Sequence, residues 1–433
     1  MNRHYQRTIG GIGNRRERDR FRLGRVRYEW TLPVPAALGG LQIMLRTPHA
    51  ILVVTIFVMA ASPVSGQPKL VQTLSLSPGS YETAWGGISQ LQYSADGKWI
   101  ISIDGLMGRQ TVTKWRVSDG KKISHVDLGE LVVIHPDGNT IAYDGIQGPI
   151  RLLDLAKRKQ SGKLNQKGQV IDAIISPDGK WMAVTGFDNR SHITIWELAT
   201  RKKTFVLSHP TQVPLIKFSP DSQFLVSISN DTSLKLETLK LWDVGTGKEL
   251  GSLTLAPTKV IHASDLRQYV SISPDGRFLG VPSPQTGELA LFELPSLKKL
   301  TTAKDTAPLW IEFSPDSQTV ATLSLSRTTE KPPYEIKLFD IEKGRTLDVK
   351  SLQNQGAISI GFSPDSQLLV SGCLDGNARL WDVATGKPRA TLTGTLKEAL
   401  VVPTAFSPDG RSIAVGTGKT IKIWDISALN APP

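Results

Sequence analysis

Only one cysteine, Cys373, occurs in 433 residues. No intrachain disulfide and no cysteine-based metal cluster can therefore form. The seven histidines are scattered singly, and neither His-Glu-x-x-His nor Cys-x-x-Cys occurs, which removes the common zinc arrangements. No Gly-x-Ser-x-Gly elbow marks a hydrolase nucleophile. No Asp-x-Asp-x-Asp-Gly run has the spacing of a calcium loop. Long hydrophobic runs are also scarce. The longest candidate, Ala50 to Ala61, is about 12 residues, against the ~20 that a helix needs to cross a bilayer. The expectation is of no cofactor, no metal and no catalytic residue.

A short phrase is present in excess. Apolar runs ending in a turn of the type Phe-Ser-Pro-Asp-Gly recur with their Asp at 96, 137, 178, 221, 275, 316, 365 and 409, in steps of 41, 41, 43, 54, 41, 49 and 44 residues. A period of about 40–45 residues is that of a four-stranded propeller blade. Within the seventh copy, 358–363, 368–371, 378–382 and 388–392 alternate apolar and polar residues between turn residues, as half-buried strands do. Ser, Pro and Gly at the first, second and fourth positions suit a type I turn. An aromatic ends the third strand in seven copies (Trp115, Trp196, Trp242, Phe292, Phe339, Trp381, Trp424), with Leu153 in the other. Such a ring can cover the gap between neighbouring blades.

The predicted fold is therefore all-β, a single propeller of eight four-stranded blades, with seven as the alternative. After Trp424-Asp425 only eight residues remain, too few for a last outer strand. Residues 70–76 resemble the fourth strand at 248–255. They are expected to complete the last blade, which removes an open sheet edge.

Trp242-Asp243, Trp381-Asp382 and Trp424-Asp425, with Val-x-Thr-Gly-Lys after the first two, resemble the WD-repeat propeller family over roughly residues 70–426. The resemblance implies a non-catalytic scaffold for protein–protein contacts. One element departs from the family: no Gly-His dipeptide occurs. The family's buried Asp–His–Ser/Thr–Trp network is therefore expected to be absent, with His209 and His262 in inter-blade loops outside that motif. The departure resembles divergent bacterial members. The Thr-Gly-Lys turns superficially resemble quinoprotein repeats, which keeps a cofactor-binding propeller enzyme as an alternative.

The formal charge of +12 is uneven. Residues 1–66 hold ten Arg, no Lys and three acids, while the other 367 residues carry 41 basic and 36 acidic side chains. Residues 44–66 have the layout of a secretory signal cut before Gln67: Arg46, an apolar run, then Val64-Ser65-Gly66. Three segments follow: 1–43, a basic extension preceding a start at Met44; 44–66, a signal peptide; and 67–433, the propeller. A periplasmic or secreted monomer is expected. The alternatives are an uncleaved membrane anchor, or a nucleic-acid arm if 1–43 is retained.

Excess residues locate candidate surfaces. In an up-and-down blade the b–c and d–a loops share one face, and binding faces tend to collect insertions. The long b–c loop 229–238, the d–a stretch 256–268 and the b–c loop 324–334 fall there, on blades 4–6. They supply Lys235, Glu237, His262, Arg267, Arg327, Lys331 and Tyr334 as candidate partner contacts, and Trp85 faces the same way. On the opposite face the c–d turns carry Lys121-Lys122, Lys157-Arg158-Lys159, Arg201-Lys202-Lys203 and Lys298-Lys299. These form a candidate basic rim for an acidic partner, an anionic polysaccharide or lipid headgroups.

Overall fold

A computed structural model describes residues 40–47, 50–57, 67–76, 87–105, 110–128, 131–144, 149–186, 191–231, 236–255, 270–283, 288–303, 308–325, 334–343, 345–353, 356–394 and 402–429. The chain divides into two compact units, Met1–Pro63 and Val64–Pro433. In the first, Gly40–Thr47 and Ala50–Phe57 pair as an antiparallel hairpin. Among the described residues no helix is long and apolar enough to cross a membrane.

The second unit is an eight-bladed propeller. Each blade is a four-stranded antiparallel sheet, its strands called a to d from the centre outward. Blade 1 runs from Ile88–Tyr93 to Lys122–Leu128, and blade 4 from Gln212–Phe218 to Glu249–Leu255. In blade 8 the chain supplies Thr404–Phe406, Ser412–Thr417 and Thr420–Asp425, and the outer position is taken by Lys69–Ser75. That strand pairs antiparallel from Lys69↔Asp425 to Ser75↔Thr420. The ring thus closes through its own N-terminal strand, with eight blades rather than seven. Ile88 N donates to Gly418 O at 2.8 Å across the junction of blades 1 and 8.

Strand composition follows position. Strands b are covered on both sides by neighbouring blades and are buried almost throughout, as in Trp99–Asp104 and Leu368–Cys373. Strands d have one wet edge and alternate, as in Lys202–Ser208. The core is not one mass but eight wedges, each straddling two consecutive blades. The aromatic ending strand c points into the wedge shared with the preceding blade: Trp242 packs against Ile195 and Leu207 of blade 3, and Trp381 against Leu338 of blade 6. Leu153 does the same towards blade 1. Lys157 and Lys202 are exposed, whereas Cys373 is buried at the end of its strand.

Candidate interaction surfaces

One face carries the a–b and c–d turns. At each a–b turn a type I hydrogen bond closes the four residues, as from Gly179 N to Ser176 O at 2.8 Å. The Ser hydroxyl donates to the Asp carboxylate two residues on, at 2.6 Å from Ser176 to Asp178. The same carboxylate accepts from Lys180 N at 3.0 Å. These bonds hold the Asp178 and Asp409 carboxyls below the usual carboxylate range. The repeated Asp is thus a component of the turn.

The fourth turn position also reaches the neighbouring blade. It has positive φ throughout, yet three copies place Ser there: Ser222 (63°), Ser317 (61°) and Ser366 (62°). Each hydroxyl accepts from the Asp backbone N–H of the preceding blade's turn: Asp178 to Ser222 at 3.0 Å, Asp275 to Ser317 at 3.1 Å, Asp316 to Ser366 at 3.0 Å. A left-handed conformation costs an L-residue about 1–2 kcal/mol. A bond to a half-buried donor offsets that by about 1 kcal/mol.

The c–d turns show a second inter-blade rule. Their left-handed residue abuts strand d of the preceding blade, and the two sites match in size. Arg201 (φ 59°) lies on Gly162, where an added Cβ would come within 2.6 Å of the guanidinium, and Leu297 lies on Gly251 at 3.0 Å. Where strand d presents Phe205, the next turn has Gly247, whose Cβ would sit 2.7 Å from that ring. Gln72 and Leu74 of the closing strand likewise face Gly120. Arg158 donates to Ile123 O and Arg201 to Ser161 O, both at 2.8 Å. Two arginines of the basic rim therefore bind the neighbouring blade, and Lys122 lies over the Trp115 ring at 5.4 Å. Lys121, Lys157, Lys159, Lys202 and Lys203 are exposed.

The opposite face carries the b–c and d–a loops. Trp85, Lys235, His262, Arg267, Arg327 and Lys331 lie outside the described residues. The structure corrects two expectations here. The segment 229–238 is not a long loop: strands b and c of blade 4 run on, pairing Ser229↔Thr238, Asn230↔Glu237 and Asp231↔Leu236. Glu237 is consequently a strand residue, 5% exposed, and not an open partner contact. Tyr334 opens strand c of blade 6, paired with Leu325, so it too belongs to an extended hairpin.

A further correction concerns the buried network. His209 opens the d–a connection from blade 3 into blade 4, and its Nε2 lies 2.6 Å from Ser227 Oγ. That hydroxyl accepts from Trp242 Nε1 at 2.7 Å, and the two rings meet edge-on at 5.8 Å. Three of the four members of the network are thus present in blade 4. No Gly-His dipeptide marks them, because Ser208 precedes His209. His209 Nδ1 is buried without a partner, and burial, with Lys240 adding repulsion, pushes the ring's pKa down to about 3. Other blades keep fragments: Trp115 donates to Ser102 at 2.9 Å, Trp381 to Ser371 at 3.0 Å, and Trp196 to Gln166 at 3.2 Å.

Near the centre, Lys217 of blade 4 and Glu312 of blade 6 sit at equivalent positions of strand a, two before the turn Ser. Lys217 Nζ donates to Val270 O of blade 5 at 2.9 Å. Burial pushes the Glu312 carboxyl up and Lys217 down, and each opposes the other's shift. The Lys217 bond thus links blade 4 to the start of blade 5. Asp104, at the end of strand b of blade 1, is pushed up to about 6, first by burial and then by Asp127. Among the described residues no group of three or more His, Cys, Asp or Glu is placed to hold a metal ion.

Residues 347–382 and 386–425 match the family described as WD domain, G-beta repeat. Each match takes in strand d of one blade and strands a to c of the next, ending at the Trp-Asp dipeptides of blades 7 and 8. This chain is a WD-repeat β-propeller. It is 25% identical over 283 residues to periodic tryptophan protein 2 of Arabidopsis thaliana, covering 64% of this chain and 28% of that protein. It is 24% identical over 340 residues to telomerase protein component 1 of Mus musculus, covering 78% of this chain and 12% of that protein. It is 26% identical over 325 residues to apoptotic protease-activating factor 1 of Rattus norvegicus, 70% of this chain and 23% of that protein. The WD-repeat chain thus spans between about an eighth and just over a quarter of these relatives' length.

Proposed function

We propose that this WD-repeat propeller is a non-catalytic scaffold that holds other proteins on its b–c and d–a face, outside the cytoplasm. One observation carries the scaffold reading. The ring closes on its own N-terminal strand, and neighbouring blades are fastened by side chains at every level, so that the loops project from a rigid frame. Rigid frames with variable loops are what binding surfaces are built on. The likeness to three longer and differently named proteins covers between 12% and 28% of each, which supports a shared platform rather than a shared reaction. The signal-like layout of 44–66 supports export.

Replacing 256–269 and 326–333 by short Gly-Ser linkers tests the surface. The expected result is an unchanged melting temperature with loss of the partners that cross-link to the wild type. An identical partner set would overturn the assignment of this face. N-terminal sequencing of the native protein tests export: a start at Gln67 agrees with it, and a start at Met1 overturns it.

A further inference from the structure

The turns of the other face are not equally charged. In blades 1–3 the c–d turns, 116–122, 154–159 and 197–203, hold nine basic and three acidic side chains. In blades 4–7 the corresponding turns, 243–249, 293–299, 340–345 and 382–389, hold seven basic and six acidic. The surplus is an arc on three consecutive blades. Its acids are already engaged, Asp119 with Arg116 at 3.0 Å, Asp154 with Lys157 at 3.4 Å, and Glu197 with the Thr200 hydroxyl at 2.5 Å. The a–b turns of the same three blades, 94–98, 135–139 and 176–180, add three acids and two lysines, so the arc keeps its surplus; Asp178 there pairs with Lys180 at 3.1 Å.

The arc has a neighbour of a different kind. The chain enters the propeller at Lys69, which pairs with Asp425 at the c–d end of blade 8. Blade 8 adjoins blade 1, so the entry point continues the arc. Immediately after Lys69 come two exposed apolar side chains, Leu70 (41%) and Val71 (61%). Upstream lies the apolar run of 50–61. Whether that segment is cleaved or kept, the propeller chain begins on this face.

We infer that the c–d arc of blades 1–3, with Leu70 and Val71 at its end, docks on an anionic lipid surface. Lysines on flexible stems meet mobile headgroups as point charges, each contributing about 1 kcal/mol near an anionic leaflet. Exposed aliphatic side chains beside them suit the headgroup boundary. Sequence-tolerant binding of a single-stranded nucleic acid uses aromatic platforms, and this arc places lysines and aliphatics there instead. The scaffold face then points away from the lipid, open to partners. The inference does not depend on the protein-binding reading, because loop replacement tests that face and charge reversal tests this one.

The experiment is co-sedimentation of the full chain, and of the compact unit Val64–Pro433, with vesicles of phosphatidylcholine alone or with about one-third phosphatidylglycerol. Binding is expected only to the mixed vesicles, weakening with salt as screening shortens the reach of each charge. The triple variant Lys121→Glu, Lys159→Glu, Lys203→Glu should lose at least about a hundredfold in affinity in the Val64–Pro433 unit, from a factor of about five per lysine. An unchanged melting curve shows that it folds. The control Lys298→Glu, Lys299→Glu, on blade 5, should lose a few-fold at most. Equal binding of wild type and triple variant, or an equal loss in the control, overturns the inference. Binding to heparin or single-stranded DNA without binding to the mixed vesicles also overturns it, reassigning the arc to another polyanion.

Discussion

His209 should make this propeller sensitive to mild acid. The ring is 6% exposed and pushed down to about 3, chiefly by burial. In the unfolded chain it returns to about 6.5. A folded pKa below the unfolded one means that the unfolded state binds the proton first. Stability is therefore intact above about pH 6.5 and falls as pH drops through that value towards 3. Between pH 7.5 and 5 the loss is about 2 kcal/mol. The geometry gives the reason. Protonated, the ring would donate from both nitrogens; Nε2 has Ser227, but Nδ1 faces no acceptor. Asp104 acts in the opposite sense. Its folded pKa of about 6 lies above the unfolded value, so the folded carboxyl takes up a proton over the same window and stability rises by about 1 kcal/mol. The two effects separate by substitution. Urea unfolding, followed by tryptophan fluorescence at pH 7.5 and pH 5, should show His209→Gln losing about 2 kcal/mol less than wild type across the interval. In Asp104→Asn the acid-induced loss should instead grow. Parallel pH dependences of wild type and His209→Gln, or an NMR titration placing the folded ring near 6.5, would refute the burial argument.

Four other outcomes are expected. Ser317→Gly relieves the left-handed backbone while losing the bond from Asp275, and should leave stability within about 0.5 kcal/mol; Ser317→Ala keeps the strain and loses the bond, costing about 1–2 kcal/mol by chemical denaturation. Gly247→Ala drives a Cβ against Phe205 at positive φ and should cost about 2–4 kcal/mol, part of which Phe205→Ala recovers in a double-mutant cycle. Ser102→Ala strands Trp115 Nε1 in the wedge between blades 8 and 1 and should cost about 1–3 kcal/mol. Deleting 67–76 removes buried Leu74 and Leu76 and opens an edge on Thr420–Asp425; light scattering should report self-association and the melting temperature should fall.

Much of the ring was legible because its cause is local. Ser-Pro-Asp-Gly closes a type I turn using its own four residues, so each copy announces itself. The closing strand was legible for a related reason: Lys69–Ser75 carries the pattern of an outer strand. The buried network of blade 4 is not legible from a dipeptide marker. What the network requires is an imidazole within reach of Ser227 and Trp242, and Ser208-His209 delivers one as well as Gly-His does. The b–c hairpin of blade 4 reads as a loop in the sequence because Asn230, Asp231 and Thr238 are turn-forming types. In the structure cross-strand pairing with Leu236 and Glu237 overrides that preference, as tertiary context does for weak propensities.

The inter-blade contacts were illegible for a different reason. Each is a relation between residues about 40 positions apart in successive copies: Gly162 with Arg201, Phe205 with Gly247, Gly251 with Leu297. Read within one repeat, a Gly or an Arg at the c–d turn looks like drift. Read against the preceding outer strand, it is the half of a pair that fills the same space. The serines at 222, 317 and 366 behave alike, since each looks like a degraded glycine until the donor from the preceding turn is seen. A solenoid or propeller is held by an intrinsic term for each repeat and an interface term for each neighbouring pair. In this ring the repeated phrase encodes the first term, and its departures from the consensus encode the second. The variation that makes the repeats imperfect therefore specifies their order around the ring.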